Sequence, residues 1–501
     1  MKKLSLILVG LLTVAATPAA RAQTDNSNAR KLALVDCVEQ ALKHNLDIQI
    51  ERYNPASRSL ELAGLSGRWD PSFYIAGRHR FSRSGGGVDP DTQLASPSFI
   101  SDADIFESSF GGVLPWGLDY RLFGNITEAY GSSGGSFDNT SGGVGFSLTQ
   151  PVLKNFWIDD TRLRIAIGKN TLRQSELALR LQIMTTVTAV EKAYYRLIAA
   201  RETVKVQGKS LQLAEQLLAE NKKRVEVGTL APLDEKQAES RVAASRAALL
   251  EAQQTVALVQ NELKSILSDN YREIHGTDLE PTETLTAPVQ VFNVQESWSR
   301  GLEQRPDFQA AKLNLENQGY QLRFDRNQLF PQLNLVGGYG HNSGGLGISE
   351  FSEGFDEFRR GNQPNHFYGA TLTVPLSNRS ARNAYKSSKL EKERLTLELR
   401  RLEQTILTSI DNFVIVARTS FEKVDSTKQA RLYAEAALDA EQKKLQNGKS
   451  TSFQVLSLQS DLTVASSEEI RALADYNMAL ADLAQAEGST LERRQIDLQV
   501  K

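Results

Sequence analysis

The chain has 501 residues, 58 of them basic and 60 acidic, for a formal net charge of −2. Balanced charge without a basic run excludes a phosphate-gripping nucleic-acid surface. Cys37 is the single cysteine, which rules out an internal disulfide and a Cys-x-x-Cys metal or redox site. The five histidines, at 44, 79, 275, 341 and 366, have no metal-ligand spacing.

Lys2 and Lys3 precede an apolar run over 4–14, and Ala20, Arg21 and Ala22 follow it. This pattern predicts a secretory signal peptide, 1–22, cut after Ala22. Beyond it no run of ~20 apolar residues occurs, so a membrane crossing would have to be made by β-strands closed into a barrel. Residues 32–65 read as one helix, with Val35, Val38, Ala41, Leu42 and Leu46 on one face, ended by Trp69, Asp70 and Pro71. From 73 to 81 the pattern alternates, with Phe73, Ile75, His79 and Phe81 on one side and Tyr74, Arg78 and Arg80 on the other, which is strand periodicity. The stretch 82–143 is rich in Gly, Ser and Asp, with candidate strands at 106–113 and 118–129; 144–149 is another.

Residues 162–267 predict a helical hairpin of unusual length. No proline interrupts 162–227, which at ~1.5 Å per residue makes a helix roughly 100 Å long. Ile183, Val187, Val190, Tyr194, Leu197, Arg201 and Val204 alternate at spacings of four and three, a coiled-coil seam. Such a helix must pack along its length against other long helices.

The pattern then repeats. A helix is predicted over 293–326, a strand over 333–339, and a second long helix over 381–447 that returns to about 486. Its seam is Leu395, Leu399, Leu402, Ile406, Ser409, Phe413 and Val416. Leu42 and Leu302, Asp47 and Asp307, Pro71 and Pro331, and Gly77 and Gly337 each lie 260 apart, while Gly228 and Gly448 lie 220 apart. The organisation is therefore a duplication of helix, strand, strand and helical hairpin. The repeats run over 23–280 and 281–490, with a tail at 491–501. The fold class is an α+β membrane protein. Two to four strands per chain cannot close a barrel, because open edges are not tolerated in lipid, so the chain should oligomerise.

In order and spacing the sequence resembles the TolC-type outer-membrane efflux proteins. The residues that carry this are Leu34, Val35, Asp36, Ala41 and Leu42; Arg305, Pro306, Asp307, Ala310 and Ala311; Leu148, Thr149, Gln150 and Pro151; and Val227 and Gly228 with Asp234, together with Gly448. The resemblance implies a homotrimer. Each subunit would give four strands to a shared 12-stranded outer-membrane β-barrel, continued by a long periplasmic α-helical barrel. It also implies a passive conduit. A periplasmic adaptor (membrane fusion) protein and an inner-membrane pump would dock at the helical tips, with outer-membrane lipid round the barrel. No cofactor or metal is implied.

The tips are the turns at Val227, Gly228, Thr229 and Leu230, with Asp234, and at Asn447, Gly448, Lys449 and Ser450. Glycine lets the backbone reverse there. Asp234 follows Pro232 in the first turn of the returning helix, where a carboxylate meets the positive dipole end. The family pattern places two aspartates at the positions of Gln454 and Ser457, and a tyrosine and an arginine at those of Leu445 and Ser450. None of the four stands here. Lys449 is a candidate partner of Asp234 across neighbouring hairpins. The expected function is the channel of a tripartite efflux pump that exports small molecules. The alternatives are the outer-membrane component of type I protein secretion and a coiled-coil adhesion stalk. No nucleophile and base set or phosphate loop suggests an enzyme.

Overall fold

The computed structural model describes residues 29–496, apart from 90, 97, 134 and 345–347. The predicted signal peptide and the last five residues of the tail lie outside the described residues. In chain order the elements begin with β1 (Ala29–Leu32), α1 (Leu34–His44), α2 (Leu46–Leu65), a short 3-10 turn and β2 (Ser72–Ser84). A small ribbon of β3 (Gly87–Val88) and β4 (Ala95–Ser96) precedes β5 (Phe99–Val113), β6 (Asp119–Ser133) and β7 (Ser136–Pro151). The first hairpin is α3 (Asp160–Glu226) and α4 (Pro232–Leu267), followed by α5 (Tyr271–Ile274) and β8 (Asp278–Pro281). The second half holds α6 (Val294–Gln304), α7 (Pro306–Asn327), β9 (Gln332–Ser343), α8 (Phe351–Arg360), β10 (Pro364–Thr373), α9 (Arg379–Gln446), α10 (Ser452–Glu487) and α11 (Thr490–Arg493).

The duplication is visible element by element. α6, α7 and β9 begin 260 residues after α1, α2 and β2, and α10 spans positions 220 beyond those of α4. The long helices have 67 and 68 residues, about 100 Å each at 1.5 Å per residue.

Two of the predicted helices are broken. The helix read over 32–65 is two, because Asn45 turns extended (φ −66°, ψ 124°) and its side-chain oxygen accepts the Ile48 N–H at 3.2 Å. That is an N-cap interrupting an otherwise apolar-periodic run. The helix read over 293–326 breaks at the equivalent place, where Arg305 is extended before Pro306, as the ring of a following proline demands. The first half needs an asparagine cap and the second a proline to make the same bend.

The stretch 82–143 supplies two further long strands, β5 and β6, and lengthens β2 and β7. One antiparallel sheet results, in the order β10-β9-β7-β6-β5-β2. The chain thus gives six strands to this sheet, where the resemblance implied four. Away from the sheet, β1 and β8 pair in parallel. Arg201 ties this pair to α3 by donating to Asp278 at 2.6 Å and to the Leu279 carbonyl at 2.8 Å.

Ile183, Val187, Val190, Tyr194 and Leu197 of the first seam are buried, along with Cys37 and Ala41 of α1. The seam of the second long helix needs correction. The buried line runs through Ile406, Ile410, Val414 and Ala417, while Val416 is half exposed in the single chain. The line shifts there because Trp298 and Leu302 of α6, Phe308 of α7 and Leu483 of α10 pack against Ile406, Ile410 and Val414. α3 lies against α4 and also against α10, so the two hairpins run side by side. Lys192 of α3 reaches the Asp482 carboxylate of α10 at 2.9 Å.

Candidate functional site

The register of the sheet sorts its side chains into two unlike faces. One row across five strands is Phe73, Phe110, Leu122, Phe146 and Tyr339; the next but one holds Gly77, Phe106, Ile126 and Gly142. The opposite face presents Ala76, Glu107, Asn125, Gly143 and Asn342 in one row and Arg78, Ile105, Thr127 and Ser141 in another. Arg78 and Glu107 pair on that face at 2.7 Å. Phe73 and Ile75, on the apolar face, are 68% and 72% exposed. An apolar face of this extent on six strands suits hydrocarbon, and the polar one suits an aqueous lumen. Trp116 and Trp157 stand exposed near the end of the sheet where the long helices start, as interfacial aromatics do. No helix among the described residues is long and apolar enough to cross a membrane.

At the far end of the hairpins the two turns are near copies. Gly228 and Gly448 both have left-handed backbone, at φ +77° and +69°. The Thr229 N–H donates to the Arg224 carbonyl at 2.8 Å and the Lys449 N–H to the Lys444 carbonyl at 2.9 Å. Each closes its helix with the six-to-one bond of a left-handed cap. Val227, Thr229, Asn447 and Lys449 are exposed, and Leu230, Asp234 and Ser450 are half-buried. Thr451 caps α10, its hydroxyl oxygen accepting the backbone N–H of the exposed Gln454 at 3.3 Å, and Ser457 is exposed one turn further on. Within one chain, no ion pair joins Lys449 to Asp234.

What holds the two tips together lies elsewhere. Ser452 donates its hydroxyl to the Asn221 side-chain oxygen at 2.9 Å, and both residues are buried, at 3% and 1% exposure. On the same stretch of α3, α9 and α10, Leu217, Leu438, Leu445, Val455 and Leu456 form one apolar cluster. Leu445 therefore fills with apolar packing a position where the resemblance expected a polar lock. Asn221 and Ser452 were not singled out from the sequence; the available signal was a polar residue on the apolar stripe of a long helix. Glu441 accepts from the Ser450 hydroxyl at 2.5 Å and from Lys444 at 2.9 Å. The Ser450 bond, then the Lys444 bond and charge, hold its carboxyl below the usual glutamate range.

An apolar-faced antiparallel sheet continued at one end by helices of about 100 Å defines an outer-membrane channel with a periplasmic extension. The chain belongs to the outer membrane efflux protein family, whose profile matches residues 118–268 and 298–489. No curated protein matches it in sequence. Its fold is similar to the Campylobacter jejuni CmeC outer membrane channel, at TM-score 0.65 and 16% identity over 91% of this chain and 86% of that one. It is also similar to the outer membrane protein VceC of Vibrio cholerae, at 0.64 and 17% over 91% and 96%. A third similar fold is the open state of the Neisseria gonorrhoeae MtrE outer membrane channel, at 0.62 and 15% over 91% and 89%. The chain is an efflux channel component of the outer membrane that extends into the periplasm.

Proposed function

We propose that three copies close into one conduit, the passive exit channel of a tripartite efflux pump. The observation that carries the closure is the sheet itself. Its outer strands, β2 and β10, are unpaired edges on the single chain, and open edges are not tolerated in lipid. Six alternating strands leave β2 and β10 running in opposite directions, so β2 of one copy can pair antiparallel with β10 of the next. Three copies then give a barrel of eighteen strands rather than twelve, and the long hairpins continue it as a helical tube. The repeats, 23–280 and 281–490, would place two hairpins per copy side by side round that tube.

The tips, from Val227 to Leu230 with Asp234 and from Asn447 to Ser450 with Gln454 and Ser457, are the proposed contacts for a periplasmic adaptor and an inner-membrane pump. They are also the proposed gate. The chain carries out no reaction; it conducts small molecules that the pump delivers. At rest the entrance is held by the Ser452–Asn221 bond and the Leu445 cluster, in place of the charged lock that the family pattern has. Imaging of the protein extracted from outer membranes should give a hollow cylinder with threefold symmetry. A strain lacking the protein should accumulate a pump substrate and recover when the chain is restored. A particle without a pore, or unchanged accumulation, would overturn the proposal.

A further inference from the structure

The connection between β9 and β10 does not stay clear of the sheet. It carries α8 back onto the apolar face. The Thr140 N–H donates to the Ile348 carbonyl at 2.8 Å and its hydroxyl to the Ser349 carbonyl at 2.9 Å, which pins the start of the helix. Phe351 meets Phe106 edge-on at 5.2 Å between ring centroids. Gly354 is the point of closest approach. A Cβ there would lie 2.8 Å from the Ile126 Cδ1, so a glycine is what lets the helix sit this near. Phe355 and Phe358 are in mutual edge contact; Phe358 is half-buried, while Phe355 is 57% exposed in the single chain and Glu353, Asp356 and Arg360 are exposed as well.

Between helix and sheet is a groove of about 620 Å³, lined by Phe355 and Phe358 above and by Ile75, Phe106, Ile126 and Val144 below, with Arg359 at its rim. The sheet residues below belong to the apolar rows. One row further out come His79, Asp104, Glu128 and Thr140, which are polar. α8 thus lies at the outer border of the apolar belt, in the plane where an amphipathic helix meets headgroups and acyl chains.

We propose that this groove holds an acyl chain of a phosphorylated glycolipid of the outer leaflet, with a phosphate of its headgroup on Arg359. The side of the sheet fixes the leaflet. β2 and β9 both follow helices of the periplasmic body, so the β9–β10 connection is at the outer surface, where such glycolipids form the leaflet. The charge at the rim fits. Arg359 is 85% exposed and, among the described residues, its one ion pair is with Asp356, at 4.0 Å, while Glu357 is already taken by Arg360 at 3.0 Å. The acidic Glu350 and Glu353 stand at the opposite end of the helix. An arginine is suited to a phosphate by its planar fork of donors.

The proposal rests on the apolar face being the lipid-facing one, and the experiment separates the two. The full-length protein is extracted from outer membranes in mild detergent, freed of loose lipid by gel filtration, and its retained lipid extracted and identified by mass spectrometry. Negative-stain images of the same samples report assembly. The wild type should retain phosphorylated glycolipid in proportion to protein. Arg359→Gln, a change at an exposed side chain, and the double variant Phe355→Ala with Phe358→Ala should each assemble and retain roughly fivefold less, the factor for about 1 kcal/mol. Equal retention in assembled variants, none in the wild type, or phospholipid in place of glycolipid would overturn the groove assignment. Protein that never enters the outer membrane would overturn the lipid-facing reading beneath it.

Discussion

The sheet makes the sharpest prediction. Removing residues 85–135, so that Ser84 runs directly into Ser136, deletes β3 to β6 and leaves four strands per chain. β2 and β7 run in opposite directions, as a strand pair joined by one tight turn requires, because the deletion takes out an even number of long strands. At a strand spacing of about 4.8 Å and a tilt near 40°, a closed barrel of eighteen strands is roughly 36 Å across between backbones. One of twelve is roughly 24 Å. The ratio of 1.5, an estimate that follows from diameter growing about linearly with strand number, holds at any shared tilt. Conductance is a poor readout, since the closed tips limit it. The assay is single-particle imaging in nanodiscs, comparing the cross-section at membrane level. The wild type should be half again as wide as the deletion there, with the helical tube unchanged. A wild-type barrel of the narrower width, or a deletion that keeps the wider one, would refute the strand count and the closure built on it.

Other outcomes follow from the tips and the core. Ser452→Ala strands the buried Asn221 oxygen, at a cost of ~1–3 kcal/mol. It should lower the thermal midpoint and raise resting conductance, while Ser452→Thr should restore both; identical closed-state currents in the alanine variant would count against the bond as a lock. Glu441 has a folded pKa below its ordinary value, so the stability it contributes is full above the usual glutamate range of about 4.3. It is lost as pH falls through the lower folded value; tip proteolysis should rise over that acid window, and in Glu441→Gln it should not change with pH there. Gly448→Ala meets nothing within 4 Å, so only left-handed backbone strain of about 1–2 kcal/mol remains, and Gly448→Asn should cost less in a thermal melt. Cys37 is fully buried, and burial, reinforced by Asp36, pushes its thiol up to about 12. A maleimide or iodoacetamide should label it only after unfolding, and rapid labelling of the native protein would contradict the packing of α1 on α3.

Several features were legible because their signal is local. Two proline-free runs of coiled-coil spacing became α3 and α9 within a few residues of the expected ends. The glycine turns fell where a left-handed residue was required, and the 260 and 220 offsets reappear in the elements. Strand alternation at 73–81 was correct in kind but short by several residues at its outer end. The tip residues were found as turns. Their mutual arrangement was not, because Asn221 and Ser452 are 231 residues apart and each alone is an ordinary polar residue on a helix.

The inserted stretch marks the boundary most clearly. Its Gly, Ser and Asp content leaves only two candidate strands, 106–113 and 118–129, both shorter than the real ones, since glycine and serine at alternate positions erase the apolar and polar contrast that marks a strand. Its glycines stand where neighbouring backbones come close: a Cβ on Gly131 would run into the Ile100 carbonyl oxygen, and one on Gly142 into that of Asn125. β5 and β6 become strands by hairpin pairing with chain neighbours, β2 and β7 among them, and only β7 also pairs with a distant strand, β9. That β7–β9 pairing, the β1–β8 pair, the return of α8 to the sheet and the buried line of α9 all depend on segments far apart in the chain. Periodicity along the chain is sufficient to form a helix or a strand and to show that one is repeated. Which face is buried, how many strands share a sheet and what meets at the tips depend on contacts between distant segments, and those exist only once the chain has packed.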